Sequence, residues 1–541
     1  MEREYVVVVK KGINLEEVDA EIAAATGSGS IPNRSVNIAN PRLGSKRMTH
    51  WMLTDAEATE LMNDSRILSV EIPVDQRDDV TMVKFGSQSA DFTKTTNITG
   101  YTNWGLRRCI AETNIYGTGT TVTGDYQYAL DGTGVDIVIQ DSGLQVGHPE
   151  WLDADGITRL QDIDWYTASG LPGTQSANHN RDWDGHGTHC GGIAAGKRYG
   201  WAKNARIYAQ KLGGLEGPGD SGGIPIADAF DCIRLWHAAK PIDPVTGYKR
   251  PTVVNMSWGY GSTVGGDPTG GLLYNDNTTN MDSWNYGDLG YTTATEVWQN
   301  AGVMVPVISG TFRRLPLRVP SVDAEIDDMI TEGIHICIAS GNDYFVNYLA
   351  PLPAIDSHYN DEVYIGGSTF FYHRGSSPRS TGVEDCFTVG NIDTDVLTGQ
   401  DKVAASSTSG PMTNIHAPGT NIVSASSNIN DGYTTQPHPD DDNYLIMNIS
   451  GTSMAAPQVA GVCALYLQVR PGLTPTELVE TLANDSKNVI FDDSVGIQPD
   501  YFTNYDRALY GSPNRMLYSK YGRQPLQSTG SYTISGNVSI G

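Results

Sequence analysis

The sequence predicts an α/β protein: a parallel sheet with helices on both faces, preceded by a small ferredoxin-like α+β unit. Three observations carry that expectation. From about residue 101 to 521, runs of strand-type residues alternate with helical stretches, the pattern of a parallel sheet covered on both faces. Residues 1–76 spell β-α-β-β-α-β, a split βαβ order. The 60 glycines suit a loop-rich α/β chain better than a helical bundle.

In order along the chain, "EYVVVVK" reads as a strand and "NLEEVDAEIAAATG" as a helix ended by glycine. "RSVNIAN" and "SKRMTHWML" are two further strands. "TDAEATELMNDS" opens on Thr54 with Glu57 three residues on, a capping box, and "RILSVEIPV" closes the unit. Residues 77–100 are polar and lack periodicity, so they read as a linker. The unit at 101–521 carries the strands "VDIVIQDSG", "ARIYAQKLG", "TVVNMSWG", "IHICIASGN" and "CFTVGNID". Two irregular stretches, about 260–318 and 343–385, interrupt it and read as insertions over the sheet edge where ligands bind in such folds. The tail at 522–541 ends in alternation at Tyr532, Ile534, Val538 and Ile540, the pattern either of a docking hairpin or of the stub of a longer product.

Composition excludes several classes. A net charge of −26 with only 36 basic residues argues against a nucleic-acid partner. No apolar run reaches membrane-spanning length. "MEREYVVVVKKG" places charges at once around four valines, which does not suit a secretory signal, so a cytoplasmic site of synthesis is expected. The six cysteines show no C-x-x-C pairing and read as free thiols.

The chemistry concentrates in "NISGTSMAAPQVAGVCALY". Ser453 stands at the opening of a small-residue helix, beside unsatisfied N–H groups and the positive end of the helix dipole. It is either a helix cap or a nucleophile, and the second needs a base and a carboxylate. His186 in "DWDGHGTHCGGIAAG" opens a similar helix and supplies the base. A zinc pair of His186 with His189 has the right spacing but no third ligand nearby. Asp141, at the end of "VDIVIQDSG", supplies the carboxylate, although a lone D-S-G is also a common turn.

Together these three stretches resemble the subtilisin superfamily of serine proteases, in which the triad runs Asp, His, Ser along the chain. "NWGLRR", "GHGTHC" with "KRYGWAKNARIYAQKL", "SPRSTGVEDCFTVGNID" and "GSPNRMLYSKY" are most similar to the proteinase-K branch. The N-terminal unit is similar to the inhibitory, fold-assisting pro-domains of these enzymes. The resemblance implies that Asp141 supports His186, that His186 takes the Ser453 proton, and that Asn342 and the Ser453 N–H hold the oxyanion. It implies that Ser257, Trp258 and Gly259, with Gly341 nearby, line an edge that pairs with an extended peptide. Trp258 replaces the usual aliphatic residue and should reshape the neighbouring pockets. Cys190 matches a free thiol beside the histidine and also reads as a small buried hydrophobe. No cofactor is required and the metal content is unknown. Asn414 stands where the family often has a calcium-binding Asp, which argues against that site, while 62 acidic residues could supply another.

Two functions follow. One is a serine endopeptidase made as a zymogen, with protein or peptide substrates and its own N-terminal domain as inhibitor. The other is a structural or assembly protein, such as a phage virion component, docking through the insertions and tail with a subtilisin-like domain that is latent or acts only on assembly partners.

Overall fold

The computed structural model describes residues 2–24, 34, 36–77, 81–84, 103–119, 126–217, 219–265, 272–275, 282–284, 307–309, 312–342, 362–365, 368–371, 384–410, 412–430, 432–492, 507–509 and 511–523. Most of the expected linker, most of the stretch 343–385 and the tail beyond 523 lie outside them.

The N-terminal unit is a four-stranded antiparallel sheet of β1 (Glu2–Val9), β2 (Ile38–Asn40), β3 (Met48–Thr54) and β4 (Ile67–Glu71), in the order β2-β3-β1-β4. Helices α1 (Leu15–Ala23) and α2 (Asp55–Met62) cover one face. Asn14 caps the first, and the Thr54–Glu57 capping box starts the second. The valine run of β1 has a physical reason in the sheet's two faces. Successive residues point to opposite sides of a strand: Tyr5, Val7 and Val9 pack with Val18, Ile22 and Leu61. Val6 and Val8 join Met48 and meet Ala324 on a helix of the second unit. Both faces are buried, so the run does not alternate.

The second unit is built on an eight-stranded sheet. Its main order is Gln400–Val403, Phe387–Asp395, His335–Ala339, Thr252–Met256, Asp136–Asp141, Arg206–Lys211, Leu160–Gln161, with Ile415–Pro418 also beside Phe387–Asp395. Every pairing is parallel except the hairpin of Phe387–Asp395 with Gln400–Val403. Ile137 and Ile139 face helices His186–Ala195 and Thr452–Val469, against Ile193 and Val459. Val138, Val254 and Ile338 face Phe230 and Ile326 on helices Ile226–Ala239 and Pro320–Thr331. All six cysteines are free and buried. No helix among the described residues is long and apolar enough to cross a membrane.

Three sequence expectations need correction. The stretch from 260 does not begin as an irregular insertion: Trp258–Gly265 is a strand paired antiparallel with Phe312–Leu317. The two supposed insertions are also not separate, since Leu272–Asn275 pairs antiparallel with Glu362–Ile365. Third, the supposed linker contains a strand, β5 (Thr81–Lys84), which adds antiparallel to Trp258–Gly265. Short strands in Gly- and Asn-rich sequence carry too few residues for a period of two to show, and their partner is remote in the chain.

A set of charges joins the two units. Arg42, buried, donates from Nε and Nη2 to Asp231 Oδ2 at 3.2 and 3.1 Å, and also bonds Glu325. Arg47 reaches Asp327 at 3.4 Å and Lys46 pairs with Glu332. The Ser321 N–H at the start of helix Pro320–Thr331 donates to Glu71 at 2.7 Å.

Candidate active site

Asp141 ends an interior strand of the sheet, at the edge where α/β folds present functional groups. Its Oδ1 accepts from the Ser142 N–H at 2.7 Å and lies 2.8 Å from His186 Nδ1. His186 is the first residue of helix His186–Ala195, entered through Gly185 at φ 91°, a conformation glycine adopts without strain. A Cβ at Gly187 would lie 2.2 Å from the Gly143 carbonyl oxygen; that close approach brings the helix start against the Asp141 loop. Ser453 lies in the first turn of helix Thr452–Val469. Its Oγ donates to the Ser257 carbonyl oxygen at 3.1 Å, and its own carbonyl accepts from Ser257 Oγ at 2.9 Å and Cys190 Sγ at 3.4 Å. Cys190 Sγ is also 3.9 Å from His186 Nδ1, so one thiol spans the histidine and the serine. Asp141, His186 and Ser453 each have a relative exposure of 0 %.

Asn342 follows the strand His335–Ala339. Its Oδ1 accepts from Thr452 N at 2.8 Å and Thr452 Oγ1 at 3.0 Å, which leaves the amide NH2 as the donor end. Gly341, at φ 113°, donates its N–H to Thr452 Oγ1 at 3.2 Å. Of the expected peptide edge, Gly259 pairs with Val83 of β5. Trp258 corrects the expectation of a pocket wall. Its indole is fully buried, with ring centroids 6.4 Å from Phe230 and 5.5 Å from Tyr260, because a large apolar ring gains more by joining the core beneath the strand. The Ser257 hydroxyl faces the helix start, accepting from Asn255 Nδ2 at 2.9 Å.

Two contributors were not read from the sequence. Asp182 accepts from Ser142 Oγ, from Thr188 Oγ1 and from the N–H groups of Gly185 and Thr188, holding the helix start to the Asp141 loop. An aspartate just before a helix was the available signal. Thr452, visible only as part of G-T-S, orients Asn342.

Burial disfavours charge on His186, but the Asp141 carboxylate outweighs it, with Cys190 as a lesser influence, and the pKa lies well above 6.5. Burial also pushes the Cys190 thiol up. A raised folded pKa stabilises fully below the unfolded value of about 6.5, and that stability is lost as pH rises through the folded value. Activity that needs neutral His186 should therefore rise on the alkaline side of 6.5, and Asp141→Asn should move that limb down. A kcat/KM–pH profile checks both; a limb at or below 6.5 in the unsubstituted chain would contradict the geometry.

His189 does not join His186 at a zinc site. Its Nε2 lies 3.0 Å from the Ile422 carbonyl and 3.3 Å from that of Met447, and burial with the nearby His186 holds its pKa down to about 3. Among the described residues, the one group of three potential ligands is Asp141, His186 and Cys190, the cluster already described. Asn414 spends both ends of its amide on Cys386 O at 2.8 Å and Thr388 N at 3.0 Å, tying a loop to a strand.

A family model described as the subtilase family matches residues 132–508, which contain Asp141, His186, Asn342 and Ser453. The chain belongs to the subtilase family. This subtilase is 28% identical over 396 residues to subtilisin-like serine protease Pen c 2 of Penicillium citrinum, covering 70% of this chain and 60% of that one. It is 25% identical over 409 residues to subtilisin-like protease 8 of Trichophyton verrucosum, covering 72% and 58%. The chain thus spans about three-fifths of the length of these relatives. Fervidolysin from Fervidobacterium pennivorans, described as a keratinolytic enzyme related to subtilisin, overlays with a TM-score of 0.47 at 16% identity, covering 97% of this chain and 62% of that one.

Proposed function

We propose that this subtilase is a serine endopeptidase made as a zymogen. In this reading His186, held by Asp141, takes the proton of Ser453 as its Oγ attacks a peptide carbonyl. The Asn342 amide and the Ser453 N–H at the helix start receive the oxyanion, and the imidazolium returns its proton to the leaving amine. The observation that carries the reading is the convergence at one edge of the sheet: a carboxylate–imidazole bond of 2.8 Å, and a thiol that reaches both His186 and Ser453. Full burial of Asp141, His186 and Ser453, with β5 along the Trp258–Gly265 edge, supports a closed precursor. A tethered inhibitor would act at an effective concentration on the order of millimolar.

A fluorophosphonate probe tests this. The intact chain should label weakly, and loss of residues 1 to about 98 should raise labelling at Ser453 by at least an order of magnitude. Absence of labelling in both forms would reject Ser453 as nucleophile and leave the assembly-protein reading. Equal, strong labelling in both would reject the zymogen.

A further inference from the structure

We infer that Cys337 and Cys463 are a latent cross-link: a hydroperoxide joins their sulfurs in a disulfide that pins the strand leading to Asn342 against the helix that carries Ser453. The two Sγ atoms face each other at 4.0 Å across the interface of strand His335–Ala339 and helix Thr452–Val469, and both side chains are fully buried. The residues stand 126 positions apart in the chain, so the fold alone brings them together. Neither thiol takes part in the proposed peptide chemistry, and the pair stands or falls apart from it.

Three of the other four cysteines are turned elsewhere. Cys190 Sγ bonds the Ser453 carbonyl at 3.4 Å and lies 3.9 Å from His186 Nδ1. Cys232 Sγ accepts from Ser169 Oγ at 3.8 Å. Cys386 packs with Ile336 and Ile338 on one face of the sheet, whereas Cys337 and Cys463 share the core on the other. On the helix face that carries Cys463, Val459 and Ala460 stand one turn before it and Ala456 two turns before, all buried. Such short side chains let helix and strand approach closely. Closing the gap to the bonded length of about 2.05 Å then falls to rotation of two side chains with a single torsion each.

The place of the pair gives the bond its effect. Cys337 comes five residues before Asn342, and Cys463 ten after Ser453. Toward the catalytic edge the same two segments are already joined by hydrogen bonds, from Gly341 N–H to Thr452 Oγ1 at 3.2 Å and from Thr452 N–H to Asn342 Oδ1 at 2.8 Å. A sulfur bond adds a covalent tie deeper in that interface. It closes a loop that contains strands Phe387–Asp395 and Ile415–Pro418, and cross-links that close long loops restrict the unfolded chain most. Burial, with the Cys463 thiol beside it, holds the Cys337 thiol well above its ordinary pKa of 9.0. The pair therefore stays reduced until a small uncharged oxidant reaches it.

The step balances with hydrogen peroxide as the hydroperoxide. One sulfur attacks the O–O bond and becomes a sulfenic acid, releasing water. The second sulfur displaces hydroxide from the sulfenic sulfur, and that hydroxide leaves with the thiol proton as a second water. Two thiols lose two electrons in all, and the peroxide takes both.

Hydrogen peroxide treatment of the full chain carrying Ser453→Ala, where no self-digestion can intervene, tests this by thiol counting after denaturation and by peptide mapping. The treated chain should lose two of its six thiols before the other four. It should yield one pair of peptides joined at Cys337 and Cys463, and regain both thiols with dithiothreitol. It should also unfold in urea at least tenfold more slowly than the reduced chain. In Cys463→Ala the joined pair and the slowing should both disappear; mapping of the chain that keeps both cysteines decides the pairing even where that variant fails to fold. Six surviving thiols, or thiols lost to sulfinic and sulfonic acids without a joined pair, would overturn the cross-link. A bond to another cysteine would overturn the pairing, and a joined pair without slower unfolding would overturn the pinning.

Discussion

Ser453→Ala should lower kcat for peptide hydrolysis by about a million-fold, the loss typical when the nucleophile of a working triad is removed. His186→Ala should cost about as much, and the double variant little more, because the serine attacks only as its base removes its proton and neither works alone. The fold should survive. Alanine suits the first turn of helix Thr452–Val469, and the substitution removes one hydrogen bond, from Ser453 Oγ to the Ser257 carbonyl, worth about 1 kcal/mol. Steady-state kinetics on the processed enzyme, with thermal denaturation as the control for folding, measure both. Hydrolysis surviving at the unsubstituted rate would mean that another residue attacks.

Arg42→Ala should detach the N-terminal unit from its seat at far lower denaturant than the parent requires. Arg42 is the cation between two buried carboxylates, those of Asp231 and Glu325. Burial already pushes Glu325 up to about 8 against the pull of Arg42. Arg234 would still hold Asp231 at 2.8 Å, but Glu325 would lose the guanidinium that bonds it in a dry contact, and breaking a buried pair from one side costs about 3–5 kcal/mol. Arg42→Lys should recover only part of the loss, because an ammonium cannot fork across two acceptors. Urea unfolding in a Ser453→Ala background, where no cut can intervene, is the measurement. A first transition unmoved by Arg42→Ala would show that the apolar contact of Val6, Val8, Met48 and Ala324 suffices.

The sequence made legible what depends on local pattern. Asp141 ends a strand in "VDIVIQDSG", and His186 and Ser453 open helices of small residues; each is visible within about a dozen residues. The capping box at Thr54 was legible for the same reason. What escaped was non-local. Nothing near Leu273 announces that its partner is Tyr364, and β5 takes its hydrogen bonds from a strand more than 170 positions away. Trp258 was placed correctly along the chain and wrongly in space, since a strand residue's neighbours do not tell which side of the sheet is solvent. Asp182 was overlooked because a helix-capping aspartate and one bracing a catalytic loop look alike until the Ser142 contact is seen.

In the zymogen reading, the doubly buried β1 would give activation a direction in time. While the chain is whole, Val6 and Val8 are covered by helix Pro320–Thr331. A unit cut free and drifting away would carry that apolar face into water, together with an Arg42 stripped of its acids. The peptidase left behind would keep Arg234 on Asp231 but lose the Arg42 charge that bonds Glu325. A freed fragment with an uncovered valine strand is a ready target for degradation or self-association, and either fate removes it from the equilibrium. Release would then work as a ratchet: one severed bond lets the closed form go, and the fragment's own surface prevents its return.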